Sequence, residues 1–106
     1  MNNDHTNFEL PFMPKRESKP RNSGITMMMD KGLSLRETEN FIEANGHLTD
    51  VIKFGFGTSM VTKNLEEKIK LYKEANIRPY FGGTLFEIFY ARGMYDEYIR
   101  FIDKYK

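Results

Sequence analysis

Nine residues, grouped at three points along the chain, have side chains or backbone suited to holding a small anion and moving charge on it. Asp30 and Lys31 precede Gly32, Lys53 ends a short apolar segment, Thr58 and Ser59 follow a glycine-containing stretch, and Gly82-Gly83-Thr84 is trailed by Glu87. Gly82, Gly83 and Thr84 open a helical pattern, so exposed N–H groups and the positive end of the helix dipole could receive a phosphate or carboxylate. A Gly-Gly pair also serves where a chain needs only a tight bend. A lysine at the end of an apolar strand either reaches solvent from a sheet edge or is held in a polar cavity. In a cavity, Lys53 would stabilise charge developing on a substrate, or deliver a proton if burial lowers its pKa. Asp30 and Glu87 offer the oxygen donors that hold Mg2+ alongside several waters. The plainer roles are that Asp30 orders a turn and Glu87 sits favourably in the first turn of a helix.

The surrounding pattern must bring these groups together. Gly24-Ile25-Thr26-Met27-Met28-Met29 is a continuous apolar run, which suits a strand covered on both faces, as in a parallel sheet. A helix follows, with Ser34 and Glu37 at capping-box spacing and Leu35, Thr38, Phe41 and Ile42 on one face; Asn45-Gly46 is expected to end it in a left-handed conformation. Val51-Ile52-Lys53-Phe54 is the second strand. The next helix has Leu65, Ile69 and Tyr72 as its apolar stripe, with Asn64 and Glu67 as the expected cap. Ile77 to Phe81 is the third strand, weakened by Pro79, and helical patterns then run from Leu85 to Tyr90 and from Tyr95 to Lys106. Strand, glycine turn and helix thus recur with a period of about 27 residues, which marks a repeated βα unit. Parallel strands joined in this way place their ligand site at the carboxyl ends of the strands. All three groups fall there.

Composition bounds the partners. The chain has 106 residues, a net charge of +1 and 16 Lys+Arg against 15 Asp+Glu, so general attraction to nucleic acid or to an anionic membrane is not expected. Absence of cysteine excludes a disulfide framework, a thiol nucleophile and thiolate zinc sites. No apolar run is long enough to span a bilayer and the N-terminus has no secretion-signal pattern, so the expectation is a cytoplasmic protein. Residues 1–23, with Pro11, Pro14 and Pro20 among Lys15, Arg16, Lys19 and Arg21, are expected to form an extended, solvated arm, with residues 24–106 as the folded domain. His5 and His47 share no ligand spacing, and Met27, Met28 and Met29 are core filler.

Taken together, Lys19-Pro20-Arg21 with Gly24-Ile25-Thr26-Met27, Asp30-Lys31-Gly32, Ile52-Lys53-Phe54-Gly55-Phe56-Gly57-Thr58-Ser59 and Gly82-Gly83-Thr84-Leu85-Phe86-Glu87 resemble the phosphosulfolactate synthase family. The resemblance begins near Arg16 and continues to the end of the chain. It implies an α/β fold, three consecutive βα units of a TIM (βα)8 barrel, and a lyase that adds sulfite to phosphoenolpyruvate with Mg2+ to give (2R)-phospho-3-sulfolactate, on the way to coenzyme M or another sulfolactate product. On that reading Lys53 stabilises the substrate carboxylate or enolate, and Lys31 attracts the anion. Thr58, Ser59, Gly82, Gly83 and Thr84 contact substrate, and Asp30 and Glu87 hold the metal. A full barrel needs roughly 250 residues, so the expectation is a fragment, inactive alone, ahead of a short chain that assembles with other copies, as a homo-oligomer, or with another subunit. The alternative within the same family is a non-catalytic, stress-associated or anion-binding protein.

Overall fold

The computed structural model describes residues 6–105; His5 and the first residues of the arm lie outside that range. Its elements are β1 (Met27–Asp30), α1 (Leu35–Asn45), β2 (Val51–Phe54), α2 (Leu65–Glu74), β3 (Arg78–Phe81), α3 (Gly83–Ala91) and α4 (Tyr95–Lys104). Short 3-10 turns at Gly46–Leu48 and Gly55–Met60 flank β2. The protein is α/β. Its three strands form one open parallel sheet in the order β1-β2-β3, with Met27, Val51 and Arg78 in one row and Met29, Lys53 and Tyr80 in another.

Because side chains alternate across a strand, each strand presents two faces. One is the core: Ile52, Phe54 and Phe81 are buried with Ile69 and Tyr72 of α2, Ile77 and Leu85. Each such apolar side chain contributes about 1.5–3 kcal/mol. Phe81 also stacks on Phe54, and beyond it Phe101, Tyr105, Phe89 and Tyr98 form an aromatic chain that joins β3 to α3 and α4. The other face is open, with Met27 at 51% and Tyr80 at 42% exposure, linked by a bond from the Tyr80 hydroxyl to Met27 Sδ at 3.0 Å. The continuous apolar run therefore does not mean, within this chain, a strand covered on both sides.

Local chemistry sets the helix ends. Ser34 Oγ accepts from the Glu37 amide at 3.1 Å while Glu37 Oε1 accepts from the Ser34 amide at 2.8 Å, a complete capping box. The other two expected ends differ. Gly46 has φ −60° and continues α1 into a 3-10 turn instead of adopting a left-handed conformation. Asn64 is left-handed (φ 59°) and makes no side-chain cap, because the extended backbone that aims a cap at the first turn is missing there. Asn76, with φ 58°, supplies the left-handed residue beyond the end of α2.

The arm is solvated over residues 6–15, which are exposed, and docked further on. Arg21 is buried, donating to Asp50 Oδ1 at 2.7 Å, the His47 carbonyl at 2.8 Å and the Glu17 carbonyl at 2.8 Å. Arg16 donates to Thr26 Oγ1 and the Leu48 carbonyl, and Lys19 to the carbonyls of Ala75 and Asn76. Asp50 Oδ2 in turn accepts the Thr26 amide at 2.8 Å. Three cations of the arm thus satisfy backbone acceptors just before β2 and β3, at the end of the sheet opposite the glycine turns.

Candidate functional site

Lys53 lies on the central strand, which removes the alternative of an edge lysine. Its methylene chain crosses the place where a side chain on Gly82 would be, so that any Cβ at Gly82 would collide with Lys53 Cε. Gly82 is also the residue before α3. It offers no side-chain cap, and Gly83 beyond it has open space on its Cβ side. Gly82 thus gives the first amides of α3 no side-chain acceptor, and Lys53 packs on Gly82 itself. A helix start without a cap carries roughly half a positive charge, and the Lys53 side chain packed on Gly82 adds a cation to the same corner.

The loop after β2 closes on the same corner. Gly57, left-handed at φ 73°, lies against α3, where a Cβ on it would be 3.3 Å from Ile88 Cδ1 and 3.9 Å from Thr84 Cγ2. Thr58 Oγ1 donates to the Gly55 carbonyl at 2.7 Å and so holds the loop. Ser59 is 4% exposed, and its hydroxyl has no hydrogen-bond partner among the described residues, an uncompensated polar burial. Gly55 leaves room for Met29, whose Sδ would be 2.6 Å from a Cβ at that position. Lys31 is exposed beside the loop, its Nζ 5.9 Å from the ring centre of Phe56. Lys53, Gly82, Gly83, Thr84 and the loop carrying Thr58 and Ser59 are thus brought together, with Lys31 at their margin.

The two carboxylates are placed differently from each other. Glu87 is exposed on α3, one turn beyond Gly83. Asp30 is wholly buried: Oδ1 accepts the amides of Gly32 and Leu33, each at 2.9 Å, and Oδ2 accepts the Tyr72 hydroxyl and the Lys68 ammonium, each at 2.8 Å. Burial alone would raise the pKa of Asp30, but Lys68, the two amides and Tyr72 outweigh it and hold the group below its usual value. Burial and the Asp30 acceptor push the Tyr72 phenol the other way, up from 10.0. A carboxylate has about four lone-pair sites, and all are taken. Asp30 as arranged does not fit Mg2+, and the described residues contain no cluster of three or more His, Asp or Glu suited to a metal ion.

Lys68 and Tyr72 are absent from the nine residues picked out by type and spacing. The signal was present in the stripe itself: Leu65, Lys68, Ile69 and Tyr72 share one face of α2, and a lysine on an apolar face needs a buried anion.

Fold and site together define an α/β protein that gathers a lysine, uncapped helix amides and an unpaired hydroxyl at the carboxyl ends of parallel strands. Residues 14–106 match the family described as (2R)-phospho-3-sulfolactate synthase (ComA), and the chain belongs to that family. It is 40% identical over 89 residues to the phosphosulfolactate synthase of Bacillus subtilis (strain 168), covering 84% of this chain and 35% of that protein. With the enzyme of Methanothermobacter thermautotrophicus it shares 38% over 89 residues, covering 82% and 34%. For Methanocaldococcus jannaschii the identity is 41% over 83 residues, covering 76% and 33%. The chain therefore spans about a third of the length of these curated relatives. No helix among the described residues is long and apolar enough to cross a membrane.

Proposed function

We propose that this chain supplies part of a cytoplasmic site that adds sulfite to phosphoenolpyruvate, as the first three βα units of a TIM-type barrel. The observation that carries this reading is Lys53 packed on Gly82, the residue that leads into the uncapped start of α3, a cation and a set of donors fit for one molecule with two anionic groups. The sulfur lone pair attacks the methylene carbon and forms the C–S bond. The C=C pair moves toward the carboxylate, and the resulting enediolate then takes a proton at the phosphate-bearing carbon. Lys53 stabilises the charge gathering on the carboxylate. Gly82, Gly83 and Thr84 receive the phosphate, Ser59 offers its free hydroxyl to a substrate oxygen, Thr58 keeps the loop closed, and Lys31 draws anions in. For the Mg2+ implied by the family, Glu87 is the carboxylate of this chain open to it, with other ligands from elsewhere. No step is assigned to Asp30.

The open sheet face and the cavity of about 980 Å3 beside β3, lined by Ile25, Val51, Tyr80 and Ile99, support completion by further strands, from a longer chain, another subunit or another copy of this one. Without that completion the same corner binds an anion and does no chemistry, which the coverage of about a third favours for the chain alone. The test replaces the matched third of the Bacillus subtilis relative with residues 14–106. Formation of phosphosulfolactate by this chimera is expected, with a loss of about 100-fold or more on Lys53→Ala. A folded but inactive chimera would reject the reading, and unchanged turnover would take Lys53 out of it.

A further inference from the structure

Lys68 is fully buried on α2, and its ammonium is committed on several sides: to Asp30 Oδ2 at 2.8 Å, to the Leu33 carbonyl at 2.6 Å, and to the ring of Phe54, whose centre is 5.6 Å away. Tyr72, one turn further on, donates to the same Asp30 oxygen. The second oxygen of Asp30 holds the amides of Gly32 and Leu33. Gly32 has φ 114°, so the turn is in a conformation that few residues adopt unaided and that needs fixed acceptors. The cluster is neutral and buried, and the four hydrogen-bond positions of Asp30 are filled by protein groups. A cation arriving at Asp30 would have to displace Lys68, leaving an ammonium group buried without its counterion, which is strongly unfavourable.

We infer that Asp30, Lys68 and Tyr72 are positioning residues: they lock the turn between β1 and α1, and with it Lys31, at the mouth of the site, and Asp30 is not a ligand for Mg2+. From the proposed function this takes only the location of the mouth and the anion expected there. By residue type and position alone, an acidic side chain at a strand end suits a metal. In the folded chain its charge is committed to Lys68.

The test uses the full chain and three readouts. Mn2+ titration followed by electron paramagnetic resonance is expected to give the same isotherm for wild type and for Asp30→Asn combined with Lys68→Met, which leaves no buried charge without its partner; loss of wild-type binding in that double variant, with its helix content intact by circular dichroism, would overturn the inference. Amide exchange at Gly32 and Leu33 is expected to quicken about tenfold in Tyr72→Phe, the effect of losing one bond to a charged acceptor, and unchanged exchange would overturn it. Calorimetry with phosphoenolpyruvate is expected to show about fivefold weaker binding to Tyr72→Phe, the consequence of a loosened Lys31. Equal affinity despite faster exchange would reduce the cluster to a structural role and refute positioning. If the wild type binds no phosphoenolpyruvate, anion binding by this corner alone fails, the chimera remains the test of the proposed function, and the Mn2+ and exchange results still decide the metal and the turn. Lys68→Met is expected to unfold or melt early, and Asp30→Asn added to it is expected to recover much of the loss, because neutralising both partners removes the stranded charge. Absence of recovery would refute the pairing.

Discussion

Gly82 has no side chain, and Lys53 occupies the space where one would be. Gly82→Ala is therefore expected to push Lys53 aside and weaken phosphoenolpyruvate binding about tenfold, the scale of one charge-assisted contact, with little change in melting temperature. Calorimetry beside a thermal melt checks this. Titration of the buried cluster makes a second prediction, with opposite signs for its two acids. Asp30 has a depressed pKa in the folded protein, so its contribution is present above the unfolded value near 3.8 and is lost as pH falls through the lower folded one. Asp50, held down against its own burial by the Thr26 amide and Arg21, acts in the same direction. Tyr72 is raised, so its contribution is present below 10.0 and is lost as pH rises toward its folded value. Denaturant melts across pH are expected to show both flanks. Tyr72→Phe should flatten the alkaline flank, and an unchanged flank would show that Tyr72 does not set it.

The elements are held by polar contacts at their ends as much as by the core. Ser34→Ala removes one half of the capping box at α1 and is expected to cost about 1 kcal/mol, measurable by urea melting. At the opposite end of the sheet, Arg21 is a fully buried cation of the arm against an Asp50 carboxylate that is 12% exposed. Arg21→Ala is expected to cost about 3 kcal/mol, because it takes the shortest ion pair from Asp50, which keeps the Thr26 amide and the more distant Arg16, and removes the donor to the His47 and Glu17 carbonyls. A melt unchanged from wild type would mean the arm is dispensable. The capping box was legible in the chain because Ser34 and Glu37 are three residues apart and bond to each other's backbone. The docking of the arm was not, since its acceptors, Asp50 and the carbonyls of Leu48 and Ala75, are distant in sequence. Nor were the ends at Gly46 and Asn64 legible, where the packing of the adjoining turn, and not residue type, sets the backbone conformation.

At the scale of the molecule, a sheet with one covered face and two unpaired edges among the described residues leaves Met27 and Tyr80 in solvent. The chain is expected to bind a hydrophobic dye such as anilinonaphthalene sulfonate, and Met27→Glu with Tyr80→Glu to lower that signal without altering helix content. An undiminished signal in the double variant would place the dye site elsewhere. Strand and helix order, the parallel sheet and the family are all written in the chain, because periodicity, glycine turns and contiguous motifs are local and survive without neighbours. So is the placing of Lys53, Gly82, Gly83 and Thr84 at one end of the strands. The packing of Lys53 on Gly82 beside the free amides of α3, and the inward turn of Asp30 to Lys68 and Tyr72, emerge only when the elements fold against one another. Which of two carboxylates is open to a ligand depends on what packs against it, and for Asp30 those groups lie 38 and 42 positions away in the chain.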